Sequence, residues 1–199
     1  MYRSITFVTL ALAAMMIVAD RPDIASTIPD SFWFEIDHRQ QAQIDSKQKI
    51  YLSKSLNKAK SVQTIIKDGQ TTTFMTIADF SKKKASVFSS DHKICYIDDI
   101  FADFHFVDDV RNMFADPAKS PMQEKDGLNM FTVNWKSIEG VDDWTHFYFE
   151  KGSNVFKKFE HYFKEEHEDP WVVFDVITPI TKQDFQPSDF ENPDCPITA

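Results

Sequence analysis

Glycine is scarce in this chain, with 4 in 199 residues, and cysteine is scarcer still, with 2. Phosphate-binding loops depend on glycine, and neither GxGxxG nor GxxxxGK[ST] occurs, which argues against nucleotide sites of those kinds. No internal repeat is visible, which argues against a repeat architecture. No Asn-x-Ser/Thr sequon occurs either, and we therefore expect no N-linked sugar.

Positive charge is also in deficit. The chain has 22 Lys and Arg residues against 31 Asp and Glu residues, which gives a net charge of −9 at pH 7. Nucleic-acid phosphates require a basic footprint, and anionic membranes attract basic segments. The sequence therefore predicts no nucleic-acid partner and does not favour binding to anionic membranes.

Catalytic signatures are missing as well. Neither GxSxG nor HExxH occurs, and no thiol-protease signature surrounds Cys95. The stretch HYFKEEHED offers four candidate metal ligands, but a charged, solvated strand end before Pro170 explains it better. Those candidates are His161, Glu165, Glu166 and His167. We predict no enzymatic activity, no cofactor and no metal ion at these residues.

Three acidic pairs offer carboxylate oxygens, the ligands that calcium prefers. They are Asp98–Asp99, Asp108–Asp109 and Asp142–Asp143. No EF-hand pattern surrounds them, and the first pair is explained by its position at the start of a predicted helix, where carboxylates stabilise the N-terminus. Calcium binding stays open.

The first 19 residues have the composition of a secretory signal peptide. Arg3 precedes an uncharged apolar run over residues 5–19, and small residues end it. An uncleaved membrane anchor is the alternative, although the run is short for a span, which needs about 20 residues. We predict a signal peptide over 1–19 and a secreted, extracellular single domain over 20–199, with no membrane segment in the mature chain.

The two cysteines are Cys95 and Cys195. In an oxidising compartment they most simply form one intramolecular disulfide, while an intermolecular bond or two free thiols remain alternatives. The bond would strap the tail across the domain. Four prolines disfavour helix near the tail and favour extended chain. They are Pro179, Pro187, Pro193 and Pro196.

Most of the body alternates apolar and polar residues with the period of a β-strand. The clearest pair of strands runs over 62–66 and 72–76, joined at Asp68-Gly69, a strong hairpin signal. Further strands are predicted at SFWFEID, ASVFSS, KICYI, LNMFTVNW, WTHFYFEK, NVFKKFEHYF and WVVFDVI.

Residues 98–116 break this rhythm. Ile100, Phe104, Val107 and Phe114 recur at helical spacing, and Pro117 follows the end. One helix with eight to ten strands in meander order predicts a mainly β (α+β) fold. Its architecture would be a strongly curved antiparallel sheet wrapped around that helix.

The strands after the helix carry aromatic and branched side chains on one face. The candidate ligand-binding residues there are Phe131, Val133, Trp135, Phe147, Phe149, Phe159, Phe163 and Phe174. An ordinary packed core is the simpler explanation of such a set. The opposite face is also apolar in places, at Trp144, Tyr148, Phe156 and Tyr162. One helix cannot cover both faces, so a ligand, a partner protein or a homodimer contact is expected to cover some of this surface.

Two segments are distinctive: TTTFMTIADFSKKKASVFSSDHKICYIDD, and VVFDVITPITKQDFQPSDFENPDC with its closing cysteine. Both resemble the eukaryotic secreted LolA-like group, which includes ependymin-related proteins. The resemblance is diffuse over residues 30–196, and ependymins proper carry more cysteines than this chain. It implies a LolA-like open half-barrel that holds a hydrophobic pocket, with lipid-type ligands and sometimes calcium.

These observations favour a secreted carrier of hydrophobic small molecules, such as lipids or fatty acids. The alternative is an extracellular protein-interaction or inhibitory accessory module, like the related domains that precede papain-like proteases. A hydrolase without a visible site is the third class. Co-purified lipid in native mass spectrometry would separate the first two.

Overall fold

The structure is a computed structural model that describes residues 21–40, 45–100, 106–136, 142–163 and 170–198. The predicted signal peptide and the candidate ligands Glu165, Glu166 and His167 lie outside these ranges. The helices are α1 (Ile24–Thr27), α2 (Phe106–Ala115) and a 3-10 helix (Pro187–Phe190). The strands are β1 (Ser31–Gln40), β2 (Asp45–Ser53), β3 (Lys58–Lys67), β4 (Gln70–Asp79), β5 (Lys84–Ser89), β6 (Ile94–Asp99), β7 (Met122–Lys125), β8 (Leu128–Lys136), β9 (Asp142–Glu150), β10 (Phe156–Phe163) and β11 (Val172–Lys182).

All these strands form one antiparallel sheet in the order β6-β5-β4-β3-β2-β1-β11-β10-β9-β8-β7. Two meanders therefore meet at the centre, where the first strand pairs with the last. Helix α2 lies between β6 and β7 in the chain, and these strands are the two edges of the sheet. The predicted mainly antiparallel β-fold with few helices is confirmed.

Two tight hairpins use the same dipeptide. Asp68 and Gly69 both have positive φ (52° and 76°) between β3 and β4, as a type I′ turn requires. Asp126 and Gly127 repeat this between β7 and β8, with φ values of 54° and 75°. A positive φ at both positions matches the twist of the flanking strands, so the dipeptide sets the pairing register of each hairpin.

Helix α2 is shorter than predicted. Asp98 and Asp99 belong to strand β6, where Asp99 pairs with Lys84, so helix N-terminal stabilisation does not explain them. The acidic residues of the first turn of α2 are Asp108 and Asp109. The strand continues because β5 pairs with every residue of β6. Phe104 lies outside the described residues.

The face of the sheet that packs against α2 is called the helix face. Alternate residues of its strands point to this face, which gives it one continuous apolar cluster with α1 and α2. The buried members of the cluster are Ile24, Ile28, Phe32, Leu52, Val107, Met113, Phe114, Phe131, Val133, Phe149 and Phe156.

The segment that contains α1 anchors α2. The Arg21 guanidinium donates to the carbonyl oxygen of Phe114 (2.9 Å) and to that of Ser120 (2.8 Å), and it lies 4.8 Å from the ring centroid of Phe131. A cation at the end of a helix satisfies carbonyls that have no partner within the helix. Arg21 therefore fixes the C-terminal turn of α2 on the helix face.

The opposite face, called the tail face, is covered in part by the chain after β11. Phe185 and Phe190 pack with Ile77 of β4 in a second buried cluster. The tail is not wholly extended as predicted, because Pro187 begins a 3-10 helix. Proline suits the first turn of a helix, where a missing N–H leaves no bond unmade. The Asp189 carboxylate accepts from the Gln186 amide at 2.7 Å and caps this turn.

Cys195 lies in this tail and is buried, with 1% of its surface exposed. It is bonded to Cys95 of β6, and the two Cα atoms are 5.4 Å apart.

We expect the purified protein to weigh two hydrogens less before reduction than after it. A covalent dimer, or two thiols that react with an alkylating agent in the native protein, would contradict this pairing.

No helix within the described ranges is both long and apolar enough to cross a membrane.

Candidate functional site

An apolar cavity of about 250 Å³ lies between α2 and the helix face. All of its lining side chains are aliphatic or aromatic, and they come from the segment after α1, from α2 and from strands on both sides of the sheet centre. They are Ile28, Phe32, Phe34, Ile50, Leu52, Val110, Met113, Phe114, Phe147, Phe149, Phe156, Phe159 and Ile180. Such a space offers no hydrogen-bond partner, so it favours apolar matter over water.

Phe114 of α2 is the aromatic contact between helix and sheet. Its ring meets those of Phe131, Phe147 and Phe149 edge-on, at centroid distances of 5.4–5.6 Å. Edge-to-face pairs of this kind add to the stabilisation from burial. The wall of the cavity on this side is therefore packed, and the free space lies towards the centre of the sheet.

One cross-strand row leads from this wall across the helix face to β2. In each neighbouring pair the two residues are direct register partners. The row is Phe131, Phe147, Phe159, Phe174, His38 and Ser46. Phe159 stacks on Phe174 with centroids 4.2 Å apart, and Phe174 stacks on His38 at 4.5 Å. The row changes from apolar to polar at His38.

Three predicted ligand-binding residues line the cavity: Phe147, Phe149 and Phe159. Phe131 and Val133 are buried in the apolar cluster and do not line it. Phe174 does not line the cavity; it stacks on Phe159 and lies six residues before the lining residue Ile180 on β11. The structure does not describe the side chains of Trp135 and Phe163. Contact of any of these residues with a ligand stays a prediction.

Phe156 lies on the helix face, and its predicted assignment to the opposite face is wrong. The strict alternation of β10 puts it with Tyr162, but the ladder between β9 and β10 is irregular between Phe156 and Lys158. An inserted residue shifts the side-chain alternation by one. Phe156 therefore points to the helix face, where it lines the cavity and packs 5.2 Å from Phe149.

Most of the cavity lining was not predicted as a site. Phe32 and Phe34 alternate in a predicted strand but were not assigned to the pocket. Ile50 and Leu52 lie on β2, which was not predicted at all. The i, i+3, i+4 spacing of Val110, Met113 and Phe114 was the available signal for the contribution of the helix.

Ion pairs hold α2 beside the first hairpin. The Arg111 guanidinium donates to the Asp30 carboxylate at 2.7 Å and to the carbonyl oxygen of Ile28 at 3.1 Å. Lys54 pairs with Asp108 at 2.8 Å. The hydrogen bond from Arg111 lowers the pKa of Asp30. Exposed pairs contribute little stability, so these contacts orient the helix more than they stabilise it.

A polar cluster occupies the tail face of β9 and β10. The Glu160 carboxylate accepts from the hydroxyls of Tyr148 (2.5 Å) and Tyr162 (2.8 Å) and from Lys158 Nζ (2.8 Å). Burial acts to raise the pKa of Glu160, but these hydrogen bonds outweigh it and hold the pKa below its usual value. Burial also raises the pKa of Tyr148, and the bond to Glu160 adds to that. The Glu160 carboxylate is therefore satisfied by its neighbours on this face, whereas Trp144 Nε1 and His146 Nδ1 are buried without a partner among the described residues.

Glu160→Gln should destabilise the protein at pH 7 and much less under acid conditions. Because the folded-state pKa of Glu160 is lowered, its contribution is present above the unfolded-state value and lost as the pH falls through the folded-state pKa. We expect the difference in the free energy of unfolding from wild type to shrink between pH 7 and pH 3, in urea titrations. The exposed Glu191→Gln is the control. A difference independent of pH would contradict this role of the charge.

Within the described ranges, no three His, Cys, Asp or Glu residues lie close enough together to hold a metal ion. The ring Nδ1 of His161 lies 3.0 Å from the Thr145 hydroxyl. The arrangement on the helix face can bind apolar side chains or an apolar ligand.

No family model and no curated protein matches the chain. Several solved structures do. An uncharacterized conserved protein from Thermus thermophilus has a TM-score of 0.53 and 10% identity, over 89% of this chain and 92% of that one. MucB in complex with MucA(peri) has a TM-score of 0.42 and 8% identity, over 92% of this chain and 61% of that one. The first likeness shows a shared fold and says nothing about activity.

Proposed function

We propose that this protein is a binding protein for hydrophobic small molecules, with lipids or fatty acids as the ligand class. The observation that carries the proposal is the wholly apolar cavity of about 250 Å³ between α2 and the sheet. Ligand pockets are typically concave and lined mainly by apolar side chains. The role is binding rather than catalysis.

The size of the cavity limits what it holds. A buried apolar cavity of about 150 Å³ accommodates benzene, so by proportion this one takes about ten carbon atoms. An alkyl chain gains about 0.8 kcal/mol for each methylene group that it buries. One acyl or alkyl chain, rather than a complete two-chain lipid, therefore matches the space.

Two further features belong to the same proposal. The resemblance to the LolA-like and ependymin-related group supports a curved, open half-barrel around the apolar pocket. The signal-like segment over 1–19 and the disulfide between Cys95 and Cys195 support secretion, since such bonds persist in oxidising compartments. A secreted carrier meets its ligand outside the cell.

Native mass spectrometry of the purified protein tests the proposal. We expect a non-covalent adduct with the mass of one lipid, which extraction with organic solvent removes. The extracted protein should take up one equivalent of naphthalene, a ten-carbon apolar probe, in a calorimetric titration. A ligand-free mass together with no uptake of naphthalene would contradict it.

A protein-interaction or inhibitory module remains the second candidate, and one observation favours it. Edge strand β6 is exposed along its whole length, and Ile94, Tyr96 and Ile97 are 40%, 61% and 43% exposed. An exposed apolar edge strand can add a strand from a partner. Ile97→Lys should then abolish dimerisation or partner capture in sedimentation or cross-linking. If wild type and variant behave alike, this candidate fails.

A further inference from the structure

The polar end of the cross-strand row lies beyond the cavity on the same face of the sheet. Phe159 lines the cavity, Phe174 stacks on Phe159, and His38 stacks on Phe174 with the two ring planes only 6° apart. The three rings form a face-to-face stack, and their edges lead from the apolar space to an imidazole. A chain that fills the cavity and continues over these rings would reach His38.

Three polar side chains meet at this end. His38 Nδ1 lies 3.0 Å from Ser46 Oγ and 3.5 Å from Gln63 Nε2, and Gln63 Nε2 also donates to Ser46 Oγ at 3.2 Å. Because Ser46 Oγ accepts from Gln63, its own hydrogen is free to point to Nδ1. Both neighbours thus present donors to Nδ1, which places the proton of the neutral ring on Nε2.

That Nε2–H group is available. Within the described part of the chain, His38 Nε2 makes no hydrogen bond, and the ring is only partly buried. With no acceptor among the described residues, this group can donate to water or to a ligand. An oxygen atom is the acceptor that an N–H group of this kind binds best.

The charge around His38 decides which oxygen fits. Burial lowers the pKa of His38, so the ring is neutral near pH 7, and the neighbouring charge that acts on it is the carboxylate of Asp37. A charged head group would pay the same desolvation that keeps this ring neutral, and the negative charge of Asp37, on the opposite face of β1, would add to that cost. A hydroxyl or ester oxygen meets neither cost.

We propose that the cavity takes a single-chain amphiphile with an uncharged oxygen head group, such as a long-chain alcohol or a monoacylglycerol, whose oxygen accepts a hydrogen bond from His38 Nε2. This inference rests on the proposed function and adds the class of the ligand. The successive centroid distances of 4.2 Å and 4.5 Å from Phe159 to His38 take about seven methylene groups of an extended chain. A chain of twelve carbons therefore reaches His38 with about five carbons left in the cavity, which has room for about ten.

Calorimetric competition at pH 8 between 1-dodecanol and dodecanoate tests the head group. Naphthalene, which has no head group, reports binding to the cavity alone. We expect wild type to bind dodecanol about tenfold more tightly than dodecanoate. His38→Phe keeps the stacked ring and removes the donor, so it should lower the affinity for dodecanol about fivefold and leave that for naphthalene unchanged. His38→Gln offers an amide donor in a similar position and should restore part of the loss.

His92→Phe is the matched control, because His92 lies in the exposed turn between β5 and β6. A preference for dodecanoate, or wild-type dodecanol affinity in His38→Phe with normal naphthalene binding, would overturn the head-group assignment and leave the proposed function intact. If wild type binds neither naphthalene nor dodecanol, the proposed function fails and the assignment fails with it.

Discussion

Phe114→Ala is expected to lower the free energy of unfolding by about 3–5 kcal/mol, the usual cost of removing a buried phenylalanine. Phe114 is 4% exposed and contacts the rings of Phe131, Phe147 and Phe149 from the helix side. The variant leaves a larger void beside the existing cavity, because the three rings that it contacts are held by their own strands. Urea denaturation of both proteins at pH 7 gives the difference.

Phe88→Ala is the control for this measurement. Phe88 is a partly buried phenylalanine on β5, in the half of the sheet away from the cavity wall. Phe88→Ala should lower the free energy of unfolding clearly less than Phe114→Ala does. Equal costs in the two variants would mean that α2 does not depend on Phe114 for its packing.

The double variant Cys95→Ala, Cys195→Ala is expected to lose about 2–5 kcal/mol of stability. The bond joins residues that are 100 positions apart, and a loop of that length is near the upper end of the chain-entropy model. The tail that it holds also covers Ile77 through Phe185 and Phe190. Guanidinium denaturation without reducing agent measures the loss.

Naphthalene binding by the same variant is the internal control. The tail covers the face opposite the cavity, so its release should weaken the protein without changing the affinity for an apolar probe. A variant as stable as wild type would contradict the role of the disulfide. A stability loss accompanied by lost naphthalene binding at low temperature would show that the two faces are not independent.

Regular patterns made much of the fold predictable. The Asp68–Gly69 dipeptide located the central hairpin of the first meander, and alternation located most of the other strands. Strand β2 was missed because its helix-face residues change from polar, at Ser46 and Gln48, to apolar, at Ile50 and Leu52. Such a strand shows no regular alternation along its length.

Strand β7 and the face of Phe156 were missed for different reasons. Residues 122–125 are mostly polar, since an edge strand needs little burial, although Asp126–Gly127 marked the hairpin. A single extra residue moved Phe156 to the other face. Irregularities of this kind depend on the neighbouring strand and leave no mark in the sequence of β10 alone.

The candidate site was predictable only as a surface. Phe147, Phe149 and Phe159 could be assigned to one apolar face, but whether that face is filled or leaves a cavity depends on how closely α2 packs. The side chains of Val110 and Met113 settle this, and no periodicity reveals the space that they leave. The contribution of β1 and β2 required the pairing of the first and last strands.

The central claim is that the space between α2 and the sheet binds a ligand, and naphthalene titration of wild type and Val110→Phe tests it most directly. Val110 lines the cavity, so a larger ring there should occupy the space of the ligand. We predict one saturable site in wild type, at least about tenfold weaker binding in Val110→Phe, and no loss of stability. In a filled core the same substitution would cost about 1–3 kcal/mol. Ile177→Phe, at an exposed position on β11, is the control. No saturable binding by wild type, together with destabilisation by Val110→Phe, would contradict the claim.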